Sequence, residues 1–142
     1  MDFALVHGSY HGAWCWDLLR PELERLGHRV ITMDLPISEP HLGAAEYAGS
    51  IEAALDPASE PILVGHSMAG LVIPLVAAHR SIRRLVFLAA FLAAPGRSAN
   101  EQRAAEPIDS RVPLTSVEFT DLRTRPRLRR RTAGRHSRPG CR

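Results

Sequence analysis

Lysine is absent from this chain of 142 residues, and cysteines are scarce. All 18 basic residues are arginines. The two cysteines, Cys15 and Cys141, lie far apart in unlike surroundings, which excludes a disulfide framework and the paired spacing of a zinc site. We therefore expect a reducing compartment, the cytoplasm, and we expect no metal and no other cofactor.

Long apolar runs are also missing. The most apolar window, residues 85–94 (LVFLAAFLAA), is about half of the roughly 20 residues that a membrane-spanning helix needs. This window follows Arg83 and Arg84, so a signal-like segment is an alternative, but a buried strand fits it better. The N-terminal sequence MDFALVHG has no basic region, so neither a signal peptide nor a membrane partner is predicted.

The charge is divided unevenly along the chain. Residues 1–121 hold nine arginines and all fifteen acidic residues, whereas residues 122–142 hold nine arginines and no acidic residue. Such a tail can bind phosphate backbones with a strong dependence on salt. It has no aromatic residue to stack on bases. We expect a solvated, disordered tail and no specific nucleic-acid partner.

Four short apolar runs recur along the first part of the chain and do not alternate with polar residues. This pattern is typical of strands that are buried on both faces of a parallel sheet. Helical patterns lie between the runs; the first ends at Gly27, and the third is apolar nearly all round, with an irregularity expected at Pro74. The sequence predicts an α/β fold with a parallel sheet of about four strands and flanking helices. The runs are residues 3–6, 29–35, 61–66 and 83–91.

Ser67 lies among small residues at a predicted strand-to-helix junction, PILVGHSMAG. A nucleophilic serine needs a sharp turn that lifts its hydroxyl clear of the sheet, and this turn tolerates only small residues two positions away. Gly65 and Ala69 occupy those positions. We interpret Ser67 as a nucleophile, supported by His66 and Gly70. The alternative is a small-residue turn in which Ser67 only caps the helix.

The loop HGSYHGAWCW, directly after the first apolar run, is the second candidate segment. His7 and Gly8 stand at its start, where glycine lets the backbone approach a neighbour closely. An acyl-transfer site needs two N–H donors for the oxyanion, and the backbones of Ser9 and Met68 are the natural candidates. The alternative is that His7 and His11 only hold the loop by hydrogen bonds.

These segments together resemble the α/β-hydrolase fold over about residues 2–97, and most closely its methylesterases, hydroxynitrile lyases and bacterial esterase relatives. The resemblance implies that Ser67 attacks small carboxylic esters and that Ser9 and Met68 form the oxyanion hole. The lyases tend to have Thr where Gly8 stands and Glu where His66 stands, so the chain favours an esterase. It also implies three regions: a hydrolase core over 1–97, a loop or the start of a lid over 98–121, and the tail.

No residue can be assigned as the base or the acid of a triad. His79 lies twelve residues beyond Ser67, about 18 Å along a helix. His136 lies in the tail, and a solvated loop accounts better for the remaining acidic candidates. We therefore expect impaired turnover. The candidates set aside are Asp109, Glu118 and Asp121.

The family's lid, last two strands, acid and histidine are not found, so the chain is expected to stop about halfway through the fold. A change of reading frame near Asp121 is one hypothesis, and the other frames of the gene would test it. A non-catalytic fragment or a small-molecule-binding module remains the alternative function. A dinucleotide-binding domain is disfavoured because HGSYHG lacks the three-glycine pattern. The oligomeric state is not predicted.

Overall fold

The computed structural model describes residues 1–92, 94 and 96–105. Its centre is a parallel sheet of four strands in the order β2-β1-β3-β4. Phe3 of β1 pairs with Val30 of β2 on one side and with Ile62 of β3 on the other, so β1 and β3 are the inner strands. The predicted α/β fold is confirmed. The strands are β1 (Asp2–Val6), β2 (Arg29–Thr32), β3 (Ile62–His66) and β4 (Arg84–Leu88).

Helices connect the strands, as parallel pairing requires. Two short 3₁₀ segments, Ala13–Trp16 and Ser67–Leu71, follow the carboxyl ends of β1 and β3. In the part of the chain that the structure describes, no helix is long and apolar enough to cross a bilayer. The α-helices are α1 (Arg20–Arg25), α2 (Ala44–Ala54), α3 (Ile73–His79) and α4 (Ala99–Ala105). The last of these begins the segment predicted to be a loop or the start of a lid.

Both faces of the inner strands are buried, because alternate side chains enter two separate apolar clusters. Ala4 of β1 and Leu63 of β3 pack in one cluster, together with Ile51 of α2. Leu5 and Val64 pack in the other. This two-sided burial explains why these strands are continuous apolar runs in the sequence.

The leucines around α1 are less buried than their helical spacing indicates. Leu18 is 83% exposed and Leu26 is 61% exposed, and only Leu23 packs against a core cluster. The helix begins at Arg20 and is only six residues long, so it cannot present a continuous apolar face. Gly27 ends it with a φ of +80°, as the sequence predicts.

Two further expectations need correction. The third helical pattern is irregular near Pro74, as expected, since a 3₁₀ segment ends at Leu71 and Pro74 lies in the first turn of α3. Although α3 is apolar nearly all round, it is not fully buried, since Leu75 is exposed. The last apolar run does form a strand, but this strand is not buried: Phe87 is 38% exposed and Leu88 is 45% exposed. Within the described residues β4 pairs only with β3, so burial of β4 would need a further neighbour.

Candidate active site

Ser67 lies at the carboxyl end of the inner strand β3, where the chain turns into the 3₁₀ segment Ser67–Leu71. Its φ is +55°, a left-handed conformation that costs a non-glycine residue about 1 kcal/mol or more. A serine held in this conformation between a strand and a helix has the geometry of a nucleophile elbow. The residue is partly exposed at this edge of the sheet.

Small residues around Ser67 are required by contact distances. A Cβ atom at Gly65 would lie 2.9 Å from Ile73 Cδ1 and 3.1 Å from the carbonyl oxygen of Ala69. Ala69 is itself fully buried. The turn therefore has no room for larger side chains at the two positions that the sequence singled out.

Gly8 brings the loop after β1 against the elbow. A Cβ atom at Gly8 would lie 2.8 Å from Ser67 Cβ and 3.0 Å from the carbonyl oxygen of His66. The two candidate segments, which are far apart in the sequence, thus meet at the carboxyl ends of neighbouring parallel strands. Ligands of open α/β sheets bind at this edge.

His7 is fully buried and braces the loop. Its Nδ1 is 2.8 Å from the carbonyl oxygen of Gly8, and the backbone N–H of Leu35 donates to its Nε2 at 2.9 Å. A carbonyl only accepts and an N–H only donates, so the imidazole is neutral with its proton on Nδ1. His11 Nδ1 is 3.0 Å from the carbonyl oxygen of Ser9. Both histidines therefore hold the loop, as the alternative interpretation expected.

Asp34 is a supporting residue that the sequence analysis did not identify. Its Oδ1 accepts a hydrogen bond from the backbone N–H of Ala13 at 2.7 Å. A Cβ atom at Gly12 would lie 2.7 Å from the same oxygen, so a side chain there would displace the Asp34 carboxylate. The available signal was position, since Asp34 lies near the end of the apolar run 29–35, two residues beyond the end of β2.

His66 packs among other rings beside the elbow. Its ring is edge-to-face with those of His11 at 5.5 Å and Trp16 at 6.3 Å. Burial lowers the pKa of His66 below its ordinary value, and repulsion from the charged form of His11 acts in the same direction. The residue next to Ser67 is thus a neutral imidazole near neutral pH.

The segment after β4 forms a third contact with the elbow, also not identified from the sequence. The backbone N–H of Phe91 donates to the carbonyl oxygen of Ser67 at 3.0 Å. A Cβ atom at Gly70 would lie 2.8 Å from Ala90 Cβ, so this segment packs directly on the turn. Ala89 enters it with a φ of +43°. Contacts of this kind join distant parts of the chain and leave no local pattern.

No base or acid for Ser67 is found in residues 1–92, 94 and 96–105, where no imidazole or carboxylate hydrogen-bonds its hydroxyl. His79 lies at the end of α3, 3.1 Å from Glu52 Oε1, which accounts for it as a helix-end residue. In these same residues, no group of three or more His, Cys, Asp or Glu could hold a metal ion. The candidates Asp109, Glu118, Asp121 and His136 and the tail 122–142 lie outside the described residues.

Cys15, in the loop after β1, does not compete with Ser67 as a nucleophile. Burial raises the pKa of its thiol to about 11, and the nearby Asp17 carboxylate adds to the shift. The thiolate is the reactive form of cysteine. Near neutral pH the thiol is therefore protonated and unreactive.

The fold and the turn together define a class of protein. A parallel α/β sheet with a strained serine at the end of an inner strand, facing a glycine of the neighbouring strand's loop, is the arrangement of α/β hydrolases. The sequence model described as the alpha/beta hydrolase family matches residues 3–140. The chain belongs to this family.

Two curated relatives and one solved structure illustrate the similarity. The chain is 36% identical to the rice protein Probable esterase PIR7A (Oryza sativa subsp. indica) over 107 residues, 67% of this chain and 41% of that protein. It is 42% identical to the Alpha-hydroxynitrile lyase of Arabidopsis thaliana over 102 residues, 63% of this chain and 40% of that protein. The crystal structure of polyneuridine aldehyde esterase matches with a TM-score of 0.63 at 28% identity, covering 77% of this chain and 48% of that one. The chain thus spans about two fifths of the length of these curated relatives.

Proposed function

We propose that the protein belongs to the esterases of its family and that Ser67 is the nucleophile that attacks small carboxylic esters. The observation that carries the proposal is the left-handed backbone of Ser67 with Gly8 packed against it. Strain of this kind persists at functional sites, where the surrounding structure holds it.

The proposed reaction has two steps. Ser67 Oγ bonds to the ester carbonyl carbon, and the oxyanion that forms accepts hydrogen bonds from the backbone N–H groups of Ser9 and Met68. The alcohol leaves with the proton lost by the hydroxyl, and an acyl-enzyme remains. Water then releases the carboxylic acid and restores Ser67. Met68 suits its role because N–H groups in a first helical turn have no acceptor within the helix.

Gly8 supports ester hydrolysis over cyanohydrin cleavage. Any side chain at position 8 would collide with Ser67 Cβ unless the loop moved. The lyase-like branch tends to carry threonine there, so this elbow is packed for the esterase-like residue. His66, in place of a glutamate, agrees with this proposal.

The 142-residue chain alone is expected to turn over esters slowly. A serine hydroxyl is a weak nucleophile until a base accepts its proton. Removing one triad member leaves only the residual catalysis of the oxyanion hole and binding. We therefore expect a single acylation of Ser67 to be easier to detect than turnover.

A covalent probe tests this proposal. The chain is treated with a fluorophosphonate and, separately, with p-nitrophenyl acetate, and the modified residue is located by mass spectrometry. We expect modification of Ser67, none in Ser67→Ala, and release of p-nitrophenol little above background.

The matched control is Ser81→Ala, which removes an exposed serine and should label as the unchanged chain does. Labelling that persists in Ser67→Ala would show that the nucleophile is another residue. Fast turnover that is lost in Ser67→Ala would support the nucleophile and refute the expected impairment.

A further inference from the structure

The segment that follows β4 reaches the carbonyl group of Ser67. Ala89 has a φ of +43°, a left-handed conformation that redirects the chain just beyond the end of β4. Two residues later, the backbone N–H of Phe91 donates to the carbonyl oxygen of Ser67 at 3.0 Å. We call residues 89–91 the β4 extension. Its last residue thus forms a hydrogen bond to the backbone of the elbow.

Gly70 makes this approach possible. It is buried in the 3₁₀ segment after β3. A Cβ atom at Gly70 would lie 2.8 Å from Ala90 Cβ and would overlap the carbonyl oxygen of Phe91. A backbone oxygen cannot give way as the end of a flexible side chain can, so a side chain at position 70 would displace the β4 extension. The hydrogen bond from Phe91 to Ser67 therefore depends on this glycine.

The carbonyl of Ser67 and the N–H of Met68 belong to one peptide unit. This peptide is trans, and the C=O and N–H groups of a planar trans peptide point in opposite directions. A bond that holds the carbonyl of Ser67 therefore also sets the direction of the Met68 N–H. Met68 is the second residue of the 3₁₀ segment, so its N–H has no acceptor within that segment. The hydrogen bond on one side of the peptide thus orients a donor on the other side.

The order of the strands indicates where this donor points. Strand β3 lies between β1 and β4. The carbonyl of Ser67 points towards the β4 extension, so the N–H of Met68 points towards the side of β1. The loop after β1 lies on that side, where a Cβ atom at Gly8 would be 2.8 Å from Ser67 Cβ. The N–H of Met68 is thus directed to the side from which Ser9 would supply the second donor.

The peptide that carries the N–H of Ser9 is held in the same way. The Nδ1–H of His7 donates to the carbonyl oxygen of Gly8 at 2.8 Å, and this carbonyl shares its peptide unit with the N–H of Ser9. At each of the two donors, therefore, a hydrogen bond to the carbonyl of the same peptide sets the direction of the N–H.

Ser67 needs an external bond of this kind because its own backbone is strained. Its φ of +55° is unfavourable for any residue that has a Cβ atom. A rotation about the backbone bonds of Ser67 that relieved this strain would swing the following peptide and turn the N–H of Met68 away. The 3₁₀ turn opposes such a rotation only weakly, because its hydrogen bonds have poor geometry. The bond from Phe91 opposes it directly.

We propose that the backbone N–H of Phe91 is a positioning group that keeps the N–H of Met68 directed at the oxyanion, and that Gly70 provides the space for it. This role rests on the proposed function, since Met68 stabilises an oxyanion only if Ser67 attacks an ester. The N–H of Phe91 acts through the peptide that it holds and not on the substrate. Donors that are fixed before the reaction need no reorganisation as the charge develops.

Two reactions at position 67 separate the orientation of Met68 from the reactivity of the nucleophile. In Ser67→Cys, p-nitrophenyl acetate acylates the thiolate through an oxyanion and releases p-nitrophenolate. Iodoacetamide alkylates the same thiolate by displacing iodide, and no oxyanion forms. The ratio of the two rates reports on the oxyanion donors, because a change in the thiolate fraction affects both rates equally. Mass spectrometry of the peptide that contains position 67 excludes modification of Cys15 and Cys141.

An ester in place of the backbone amide of Phe91 removes the N–H donor and keeps the side chain. We expect the ratio of acylation to alkylation to fall at least about tenfold, approaching the about 10²-fold loss that follows removal of an oxyanion donor. An ester at Arg83 is the matched control, because the N–H of Arg83 donates to the carbonyl oxygen of Pro61, also at 3.0 Å, at the opposite end of β4. This ester should leave the ratio unchanged.

Gly70→Ala tests the same role by displacing the β4 extension. It should lower the ratio as the Phe91 ester does. Gly49→Ala adds the same methyl group where nothing stands within 4 Å and should not change the ratio. Circular dichroism checks that each variant is folded, and the Phe91 ester, which alters no side chain, carries the test if Gly70→Ala is not.

The outcomes separate the positioning role from the proposed function. If position 67 is acylated and the Phe91 ester leaves the ratio unchanged, the positioning role is refuted and Ser67 remains the proposed nucleophile. An equal fall in the ratio with the Arg83 ester also refutes it, because the effect would then be a general loosening of β4. If Ser67→Cys with no other change is alkylated but not acylated, the proposed function fails and the positioning role fails with it.

Discussion

Gly8 shows how one missing side chain determines the approach of two segments. Gly8→Ala places a methyl group 2.8 Å from Ser67 Cβ, which neither backbone can accommodate without moving. We expect a loss of about 1–3 kcal/mol in the free energy of unfolding, as for other overpacked sites. We also expect slower fluorophosphonate labelling of Ser67. Urea denaturation and the labelling rate measure the two effects.

Gly49→Ala is the matched control for this substitution. Gly49 lies within α2, and nothing stands within 4 Å of the position that its Cβ would take. Alanine there should increase stability by about 0.5–1 kcal/mol, because glycine is a poor helix former. Equal effects of the two substitutions would show that Gly8 does not contact the elbow.

At the scale of single residues, the sequence predicted what depends on near neighbours. Gly65 and Ala69 were identified because the steric limits of a turn act over two positions. Asp34 and Phe91 were missed, since their partners Ala13 and Ser67 lie 21 and 24 positions away along the chain. The residues next to Asp34 or Phe91 in the sequence give no sign of such a distant partner.

At the scale of elements, the ring cluster of His11, Trp16 and His66 beside the elbow makes the stability of the fold depend on pH. Burial lowers the pKa of His66 in the folded state, so between that lowered pKa and the ordinary value of about 6.5 the unfolded chain binds more protons. Stability contributed by neutral His66 is therefore present above about pH 6.5 and is lost as the pH falls. We expect urea midpoints to decrease from pH 7.5 to pH 5, and His66→Gln to flatten this decrease.

His41→Gln is the control for this prediction, because it removes an exposed histidine that is not one of the rings packed on His66. It should leave the difference between pH 7.5 and pH 5 unchanged. A slope that His66→Gln does not alter would assign the dependence to another group.

The elements themselves could be predicted where a pattern repeats within one segment. All four strands coincide with continuous apolar runs, and α2 lies between the second and third runs, where a helical pattern was predicted. The burial of α1 and β4 could not be predicted in the same way. Apolar residues report what a segment is suited to contact, whereas exposure depends on which neighbours are present.

At the scale of the whole molecule, the sheet should differ in stability from strand to strand. The inner strands β1 and β3 are paired on both sides and buried, whereas β4 is exposed and paired on one side. Local opening needs least free energy where few apolar contacts are broken. We expect amide hydrogen exchange to be at least about tenfold faster in β4 than in β3. Mass spectrometry of the exchanged peptides measures this, and equal protection would mean that β4 is covered.

The order of β1, β3 and β4 along the chain determines which parts of the elbow are synthesised first. Gly8, Ser67 and the helix turn after it all precede β4 in the chain and are therefore synthesised before it. Domains fold in units as they emerge. Synthesis therefore delivers the turn at Ser67 and its facing loop before the segment that packs on this turn through Phe91.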